Sequence, residues 1–512
     1  MSTSPFEQAR RSPTEFSEFR ERYVTTLKSV FGERADITRM YLSRGLPPFV
    51  LREIQSCVPL TVFIPKQFGG RGEKVHECLA VLEASAYESL ALSLTVGING
   101  ALFLQPLSKY GVEEIKAPIF ERFVEHQNMG GLMITEPGYG SDALSMQTSY
   151  VEEEDGFRIQ GVKHWAGLTG LADFWMMTAR ARGDEGQLSR DIDFFVCDAH
   201  RPEQAVTVEE VYENLGLYMI PYGRNHVDVV VPKEHKLEPE STGLKMMLDI
   251  LHRSRVQFPG MGMGFLKRVL DEALSHCRSR YVGGKSLISY DQVQQRLARL
   301  QAFFTACSAM CTYTAENAAL DRDLSKDSIP ANAVKSVVTD YMHEAAQSLL
   351  QLAGAKGYRL DHIAGRSTVD SRPFQIFEGA NDILYQQLAE AVVKLMRRDK
   401  EQNLYAYLST FELGARASDY LRSVINFDID HRMPQRKLVD LGRVLGRIIT
   451  MELVIDLHDR GFRSDLADKC LEQLKQEVES LLAVFRSGVK SDVVEDYEEG
   501  SGWMSYAKLS GA

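Results

Sequence analysis

The sequence is poor in the features that mark disulfide-bonded proteins and metal-binding domains. Its 512 residues contain seven cysteines, and none of them forms a CxxC pair or lies with histidines at the spacing of a zinc site. A disulfide framework or a structural zinc requires ligands at such spacing. An odd number of thiols instead suits a reducing compartment, so we expect free cysteines and no structural metal.

Long apolar runs and an excess of basic charge are also missing. No segment presents the roughly 18 consecutive apolar residues of a transmembrane helix, and the first residues lack the apolar core of a secretory signal. The 59 basic and 70 acidic residues leave a net charge of −11, which on average repels nucleic acid and anionic lipid. We therefore expect a soluble, cytoplasmic protein with no transmembrane segment and no nucleic-acid partner.

The length and composition indicate several packed domains. Hydrophobic residues make up 44% of the chain and charged residues 25%, the balance of a folded globular protein. A chain of this length exceeds what one hydrophobic core usually organises. We expect two to four domains.

Apolar residues recur at helical spacing through the first quarter of the chain. Residues 12–15 (Ser-Pro-Thr-Glu) have the sequence of a capping box with proline at the first helical position, which predicts a helix beginning at residue 13. Further helical patterns cover about residues 47–58, 73–105 and 112–126. They predict an amino-terminal α-helical domain at residues 1–128.

Between residues 129 and 238 the apolar period changes from 3.6 residues to 2. Short apolar or alternating runs follow one another, and Asp155-Gly156 lies between two of them, as in a tight hairpin turn. This segment predicts a middle β-domain, a barrel or a sandwich.

Long helical patterns return after residue 239. One of them covers residues 330–353, begun by Pro330 and ended by Gly354, and together they predict a carboxyl-terminal α-helical domain at residues 239–399. The charged residues 397–401 mark a boundary. Three further helical patterns predict an additional helical extension with a loose tail at residues 400–512. The expected fold class is α+β, with several domains.

Two segments combine glycine with groups that can bind a cofactor. Residues 134–142 (Ile-Thr-Glu-Pro-Gly-Tyr-Gly-Ser-Asp) run from a strand into a glycine-rich loop, whose backbone N–H groups can approach an anionic or polar cofactor. Residues 163–170 place Trp165 beside small residues, an arrangement that can wall a flat heterocycle. A capped turn and a core tryptophan are the simpler interpretations, and neither segment alone decides between them.

A third segment, residues 374–382 (Phe-Gln-Ile-Phe-Glu-Gly-Ala-Asn-Asp), sets a carboxylate in an apolar run. Apolar neighbours raise the pKa of a carboxyl group toward neutrality, as proton abstraction by a base requires. Gly379 would let a substrate pass close to the backbone. The alternative is that Glu378 merely precedes a helix capped by Asn381 or Asp382.

Taken together, these segments resemble the acyl-CoA dehydrogenase family in identity, order and α–β–α setting, over about residues 40–395. Residues 64–72 are similar to the IPxxxGGxG loop of the family, residues 134–142 to its TEPGxGSD flavin segment, and Trp165 to the start of its WIT element. The RxxFGK, QxxGGxG and YEG motifs of the family resemble residues 280–285, 351–357 and 377–379.

The resemblance implies that residues 239–399 form a four-helix bundle. It also implies FAD-dependent dehydrogenation of an acyl thioester to its trans-2-enoyl product, within fatty acid and lipid metabolism. Glu378 would remove the α-proton, while Ser141, Arg255 and Gly379 would contact the substrate. The residues implied to bind FAD are Thr135, Ser141, Trp165, Gly167, Arg280, Gln292, Gln351, Ala355, Ala380 and Asp382.

The resemblance also implies partners. Arg280, Gln292 and Gln351 would hold the pyrophosphate and adenine end of an FAD shared with a neighbouring subunit, in a homodimer or homotetramer. The substrate would be a thioester of CoA or of an acyl carrier protein. The electron acceptor would be a protein such as an electron-transfer flavoprotein.

Several positions depart from the family pattern. Gly167 stands where the family usually has a threonine beside flavin N5, and Ala355 replaces a glycine. The loss of a hydroxyl group can shift the flavin potential or change the electron acceptor. A dehydrogenase linked to an acyl carrier protein, or an oxidase of the same fold, therefore stays open as an alternative.

A non-catalytic alternative comes from the extension. Arg436, Arg443 and Arg447 share a helix face opposite a stripe of leucine and isoleucine, and a flavin-binding homologue could use such a basic face for interaction. An amphipathic helix docked on the catalytic body explains the same pattern. The intact Glu378 also argues against a loss of catalysis.

Overall fold

The computed structural model describes residues 15–43, 47–488, 490 and 492–508. Residues 12–14 of the predicted capping box lie outside the described residues. Helix α1 (Phe16–Ser29) follows Glu15 directly and buries one apolar stripe, formed by Phe19, Tyr23 and Leu27.

Six further helices complete the amino-terminal part, and they are α2 (Ile37–Ser43), α3 (Pro48–Gln55), α4 (Val75–Glu88), α5 (Leu90–Asn99), α6 (Gln105–Tyr110) and α7 (Glu113–Glu125). The helical pattern predicted over 73–105 is broken at Ser89. Its side chain accepts a hydrogen bond from the N–H of Leu92 and so caps α5. A serine at this position therefore ends one helix and begins the next.

Within the described part of the chain, the stretch Leu90–Tyr110 is long and apolar enough to cross a membrane by length and composition, with a mean hydropathy of 1.5. The stretch is not an uninterrupted apolar run, because it contains serine, threonine and asparagine. Of its most apolar window, 94% is buried inside the protein. Near its middle, Asn99 accepts a hydrogen bond from the N–H of Gly130, 2.7 Å away, where the sheet begins.

Residues 130–231 contain a curled seven-stranded sheet of β1 (Gly130–Met133), β2 (Ser149–Glu153), β3 (Gly156–Gly167), β4 (Phe174–Ala181), β5 (Asp193–Asp198), β6 (Thr207–Val211) and β7 (Tyr222–Val231). The strand order is β1-β4-β2-β3-β7-β6, with β5 also paired to β4. Strands β1 and β2 pair in parallel with β4, and the other neighbours are antiparallel. The predicted turn at Asp155-Gly156 joins β2 to β3.

The bundle consists of four long helices, α8 (Gly243–Ser279), α9 (Asp291–Asn317), α10 (Ser328–Ala353) and α12 (Asn381–Arg398), with the short α11 (Ile363–Ser371). A two-stranded hairpin of β8 (Tyr281–Val282) and β9 (Lys285–Ser286) connects α8 to α9. Helix α10 runs antiparallel to α9, and Arg296 Nη1 donates to Ser348 Oγ across them at 3.3 Å. The carboxyl ends of α8 and α10 therefore lie beside the start of α9.

A buried carboxylate fastens the three parts to one another. Asp370, at the end of α11, accepts hydrogen bonds from the hydroxyl of Tyr41 on α2 and from the N–H of Leu217 before β7, at 2.5 and 2.6 Å. Burial raises the pKa of the Asp370 carboxyl to about 6. This contact fixes how the sheet and the bundle face each other.

All seven cysteines are free, and all except the half-buried Cys311 are buried. Among the residues that the structure describes, no group of three or more His, Cys, Asp or Glu side chains has the geometry to hold a metal ion.

The extension adds four helices, α13 (Leu404–Leu408), α14 (Ala415–Ile425), α15 (Gln435–Asp459) and α16 (Ser464–Arg486). Helix α15 packs against α9, α10 and α12, so the extension covers one side of the bundle. Arg447 is only 8% exposed, and Arg443 pairs with Asp382. The interpretation of α15 as a free basic face is therefore wrong, because packing on the bundle takes up two of its three arginines.

The close approach of α15 to α12 depends on glycine. A Cβ atom at Gly442 would lie 1.9 Å from the carbonyl oxygen of Tyr385 on α12. No side chain fits in that space without a shift of one helix. Gly442 is thus the point at which the extension meets the helix that follows Glu378.

We expect Gly442→Ala to lower the free energy of unfolding by about 1–3 kcal/mol, since the methyl group overpacks the contact. In an open helical position the same change usually stabilises by up to ~1 kcal/mol. Thermal unfolding of both variants checks this, with Gly32→Ala as the control because a Cβ there has nothing within 4 Å. An unchanged unfolding temperature for Gly442→Ala would contradict the described packing.

Candidate active site

Glu378 lies in a short connection between the 3₁₀ turn Arg372–Gln375 and α12. Its φ is +53° and that of Gly379 is +95°. A left-handed backbone is uncommon for a residue with a side chain and persists only where its surroundings enforce it. Strain of this kind is typical of functional positions.

The segment that precedes Glu378 packs in a cluster of aromatic rings. Phe374 lies next to Phe377 and Phe258, with ring centroids 4.9 and 5.8 Å away. Burial raises the pKa of the Glu378 carboxyl, while a hydrogen bond from Ser254 and the charges of two nearby cations only partly oppose this. The Oε2 atom is buried and has no hydrogen-bond partner among the described residues. This oxygen is therefore free to accept a proton.

The two nearby cations hold the backbone carbonyl groups of Glu378 and Gly379. Arg255 on α8 donates from Nε to the carbonyl oxygen of Glu378, and Lys335 on α10 donates from Nζ to that of Gly379, both at 2.9 Å. Arg255 also donates from Nη1 to Asn332 Oδ1 at 2.9 Å. The predicted neighbourhood of Arg255 and Glu378 is thus present, and the contact shown is to the backbone.

Lys335 was not predicted from the sequence. It is fully buried, and burial lowers the pKa of its ammonium group to about 7, opposed by the charge of Glu378 and reinforced by that of Arg255. Its only sequence signal is a lone lysine among small and apolar residues of α10. A buried lysine of this kind is retained by specific partners, which sequence spacing does not reveal.

The glycine-rich segment 134–142 forms an open loop after β1. The carbonyl oxygen of Thr135 accepts a hydrogen bond from the N–H of His164, 2.9 Å away on β3. Cβ atoms at Gly138 and Gly140 would meet nothing within 4 Å, and Ser141 is exposed. The loop therefore presents bare backbone, as a closely bound cofactor requires.

Trp165 stands at a bulge in β3, with φ of +56°. Its side chain is 52% exposed, and its ring centroid lies 4.6 Å from that of Tyr212. The alternative of a core tryptophan is therefore wrong. A Cβ at Gly167 would lie 2.7 Å from Ile98 Cδ1 of α5, so a side chain at this position would meet the helix.

Tyr222 links the sheet to the base. Its ring centroid lies 6.4 Å from that of Trp165, and burial together with the charge of Glu378 raises the pKa of its hydroxyl. An exposed indole, an open glycine loop and a carboxylate with an unpartnered oxygen therefore border the junction of sheet and bundle. These residues fit a flat heterocyclic cofactor and a substrate with an acidic C–H bond.

A buried ion pair fastens the glycine-rich segment to β3. Lys163 Nζ lies 2.8 Å from Glu136 Oε1 and donates to the carbonyl oxygen of Ile134 at 3.1 Å. Burial lowers the pKa of Lys163 to about 8, although Glu136 opposes this. The pair holds the segment with Thr135 in register with the strand that carries Trp165.

Four predicted cofactor residues lie far from Glu378. Arg280 follows α8, Gln292 is in the first turn of α9, and Gln351 is in the last turn of α10, all exposed at the same end of the bundle, as is Ala355. The stretch of α10 from Lys335 to Gln351 is roughly 24 Å long at 1.5 Å per residue. Within one subunit, these four residues therefore lie together at one end of the bundle, away from Glu378.

Ala380 and Asp382 lie next to the base. Ala380 precedes α12 as its N-cap residue, and Asp382 is in the first turn with a side chain that is 69% exposed. Asp382 Oδ1 lies 2.8 Å from Arg443 Nη2 of the extension. Arg443 of the extension thus compensates the negative charge of Asp382 at the start of α12.

Comparison with known families decides between the interpretations of these residues. Sequence profiles of the acyl-CoA dehydrogenase N-terminal, middle and C-terminal domains match residues 34–127, 131–230 and 241–393. The chain belongs to the acyl-CoA dehydrogenase family. Members of this family are FAD-dependent oxidoreductases that dehydrogenate acyl thioesters, so the predicted family, α+β fold class and cofactor are confirmed.

The similar proteins cover different parts of the chain. The acyl-CoA dehydrogenase of Bacillus subtilis (strain 168) is 24% identical over 325 residues, which are 62% of this chain and 83% of that protein. The structure of the Bacillus anthracis acyl-CoA dehydrogenase complexed with FAD has a TM-score of 0.75 at 17% identity and covers 100% of this chain and 94% of that one. The prolyl acyl carrier protein oxidase AnaB has a TM-score of 0.67 at 16% identity, covering 74% and 99%. These structural likenesses establish the fold, extension included.

We expect Lys163→Met to weaken FAD retention in this acyl-CoA dehydrogenase family member. The substitution leaves Glu136 buried without its cation, which costs ~3–5 kcal/mol of unfolding free energy. Adding Glu136→Gln should recover part of that loss, because the buried charge is then removed as well. Thermal unfolding and the FAD retained after gel filtration measure both effects. Parental stability and FAD content in Lys163→Met would show that the pair does not hold the loop.

Proposed function

We propose that the protein is an acyl-CoA dehydrogenase that converts an acyl-CoA to the trans-2-enoyl-CoA, with Glu378 as the base. The α-proton of a thioester is weakly acidic, so its removal needs a positioned base with a raised pKa. The observation that supports Glu378 most strongly is its buried, unpartnered Oε2.

Asp249, the acidic residue of α8 nearest to Arg255 in sequence, is an unsuitable base. It accepts hydrogen bonds from Arg253 at 3.0 Å, from the hydroxyl of Tyr110 at 2.9 Å and from the N–H of Leu324 at 2.7 Å. Its oxygens are occupied, unlike Oε2 of Glu378. This difference supports Glu378 rather than Asp249 as the proton acceptor.

Negative charge that develops on the thioester carbonyl oxygen needs a hydrogen-bond donor. The backbone N–H of Glu378 has no acceptor among the hydrogen bonds of the described residues. Arg255 and Lys335 fix the carbonyl groups that follow it, so this N–H keeps its direction. Gly379 and Ser141 are the candidate substrate contacts; a Cβ atom at Gly379 would lie 2.7 Å from Leu384 Cδ2, so only glycine fits beside the base.

The flavin ring would lie on the loop of Thr135 and Ser141, against Trp165 and Gly167. Bound FAD supplies the acceptor for the β-hydride. Ala380 and Asp382 would line the same cofactor, and Arg443 would limit the repulsion between Asp382 and its phosphates. The remaining contacts, from Arg280, Gln292, Gln351 and Ala355, would come from a second subunit.

An oxidase, or an enzyme linked to an acyl carrier protein, is the second candidate. Gly167 provides no hydroxyl group where the family usually has a threonine, and a side chain there would require Ile98 to shift, because a Cβ atom would lie 2.7 Å from Ile98 Cδ1. The similar structure of AnaB is titled an oxidase of a prolyl acyl carrier protein. The electron acceptor, an electron-transfer flavoprotein or oxygen, separates a dehydrogenase from an oxidase, and the thioester carrier separates CoA-linked from carrier-protein-linked enzymes.

We expect the purified protein to be yellow, with about one FAD per chain. Butyryl-, octanoyl- and palmitoyl-CoA, each assayed with ferricenium and separately with oxygen as acceptor, then distinguish the candidates. A dehydrogenase turns over with ferricenium and little with oxygen, whereas an oxidase produces hydrogen peroxide in air. A protein that takes up no added FAD would contradict both.

We expect Glu378→Gln to abolish turnover while FAD content and affinity for a substrate analogue stay close to those of the parent. The amide keeps the size and the backbone N–H of glutamate and removes only its ability to accept a proton. Loss of a general base costs about a hundred- to ten-thousandfold in rate. Anaerobic mixing with the best acyl-CoA of the panel should leave the flavin oxidised.

The control for this variant is Glu316→Gln, at the exposed end of α9, where Glu316 pairs with Arg460 of the extension. It should reduce its flavin at the parental rate. Bleaching of Glu378→Gln within about tenfold of the parent would assign the base to another group.

The separation of Arg280 from Glu378 predicts subunit complementation. Arg280→Glu should weaken FAD binding in the active site of the neighbouring subunit. Glu378→Gln removes the base from the active site of the subunit that carries the substitution. Each variant alone is therefore expected to be nearly inactive. Co-expression of the two should restore activity, because a mixed oligomer contains one site with both residues intact. Light scattering gives the oligomeric state. A flavin-loaded monomer, or no recovery in mixed oligomers, would contradict the shared site.

A further inference from the structure

A chain of polar contacts runs from the extension to the backbone at Glu378. It begins at Arg447 on α15, which lies outside the three matched family domains and is 8% exposed. Its Nη1 donates to the hydroxyl of Tyr385 on α12 at 2.5 Å, and its Nη2 lies 3.5 Å from Asp340 Oδ2 on α10. The guanidinium group therefore joins two helices of the bundle.

Asp340 links Arg447 and Tyr385 to Asn381. Its Oδ2 accepts from the Tyr385 hydroxyl at 2.7 Å, and its Oδ1 accepts from Nδ2 of Asn381 at 2.7 Å. One oxygen thus faces the extension and the other faces the first residue of α12. A change in the charge or orientation of Asp340 must alter both.

Asn381 and Lys335 complete the chain. The Oδ1 atom of Asn381 accepts from Lys335 Nζ at 2.9 Å, and the same Nζ donates to the carbonyl oxygen of Gly379 at 2.9 Å. Asn381 is 7% exposed and Lys335 fully buried. The residue next to the base is therefore held by a cation whose own partner depends on Asp340.

Arg447 is itself held by an anion of the extension. Its Nε lies 3.3 Å from Glu477 Oε2 on α16, which also accepts from the hydroxyl of Tyr341 at 3.0 Å. In such a network each charge is compensated by its neighbours, and removal of one leaves the others unbalanced. The geometry of the extension is thereby coupled to that of the bundle.

We propose that Arg447 is a positioning residue for Glu378, and that it acts through Asp340, Asn381 and Lys335 on the backbone of the base. The inference rests on the proposed function, since it takes Glu378 as the proton acceptor. It gives the extension a role in catalysis that is separate from its role in stability.

The charged and titratable groups around Glu378 and Asp340, the two ends of this chain of contacts, determine whether the pKa of Glu378 rises or falls when Arg447 is removed. Facing Glu378 are Arg255 from α8, Lys335 from α10 and Tyr222 from the sheet. Lys335 lowers the pKa of Glu378 against the stronger effect of burial.

Asp340 faces Lys335 and His343 on its own helix, Tyr385 on α12 and Arg447 on α15. Without Arg447, the Asp340 carboxylate draws the Lys335 ammonium group toward itself and away from Gly379. Glu378 then loses part of a compensating charge, so its pKa rises and the base is protonated at a higher pH.

We therefore expect Arg447→Met to lower kcat about ten- to hundredfold, the scale of a misplaced catalytic group, with KM changed less than about twofold. The acid limb of the pH profile of flavin reduction should move to higher pH. FAD content should stay parental, because Arg447 contacts no predicted cofactor residue. The assay uses whichever acyl-CoA of the butyryl, octanoyl and palmitoyl series the parent turns over fastest.

The matched control is Arg416→Met. Arg416 on α14 also pairs with a buried glutamate of the extension, with Nε 2.6 Å from Glu452 Oε1, but it has no contact with the chain to Glu378. Both variants should lower the unfolding temperature, Arg416→Met by less because its side chain is 45% exposed. Only Arg447→Met should change kcat and the pH profile, and only it should speed amide hydrogen exchange over residues 376–384.

Two further variants keep the test decisive if Arg447→Met folds poorly. Arg447→Lys restores the positive charge and should recover part of kcat and of the pH midpoint. Asp340→Asn removes the carboxylate that would draw Lys335 away, so its addition to Arg447→Met should return the pH midpoint and part of kcat toward the parental values, a non-additive result expected for two coupled residues.

Parental kcat and pH profile in Arg447→Met, or equal losses in Arg416→Met, would overturn the inference while leaving the proposed function intact. Undiminished flavin reduction by Glu378→Gln would instead overturn the proposed function. The two failures are thus distinguished by which variant stays active.

Discussion

The structure depends on keeping the Oε2 atom of Glu378 buried and without a hydrogen-bond partner, on a backbone with a left-handed φ. Burial raises the pKa of the Glu378 carboxyl more than the hydrogen bond from Ser254 and the charges of Arg255 and Lys335 lower it. Neither condition stabilises a folded chain by itself. Arg255 and Lys335 offset the cost by binding the carbonyl groups that follow, and their own burial requires the hydrogen-bond partners on α10 and α12.

Three sets of polar contacts stabilise the position of the segment that carries Glu378. Asp370 fixes the bundle against the sheet, and the buried pair of Lys163 and Glu136 fixes the cofactor loop within the sheet. The extension then covers α12 and adds cations at Asp382 and Asp340. The base, the loop and the indole of Trp165 come from elements far apart in sequence, so their arrangement depends on these few buried polar contacts rather than on apolar packing alone.

Sequence periodicity predicted most helices and the change to strands, because 3.6 and 2 are strong signals over long segments. The motifs also led to Glu378, Trp165 and the glycine loop. The contacts of Lys335, Tyr222 and Arg447 were not predicted, since their partners are distant in sequence. For α15 the sequence left two interpretations, a basic interaction face and an amphipathic helix docked on the catalytic body, and the burial of Arg447 and the close contact at Gly442 agree with the docked helix.

The central claim is that a buried glutamate with a raised pKa removes the α-proton. The most direct measurement is the pH dependence of the limiting rate of flavin reduction, with anaerobic mixing and saturating acyl-CoA. A base must be deprotonated to act, so the rate should fall as the pH falls through the raised pKa of Glu378, with a midpoint above the ordinary glutamate value of about 4.3. A rate that stays constant down to that value, or that falls as the pH rises through neutrality, would contradict the account.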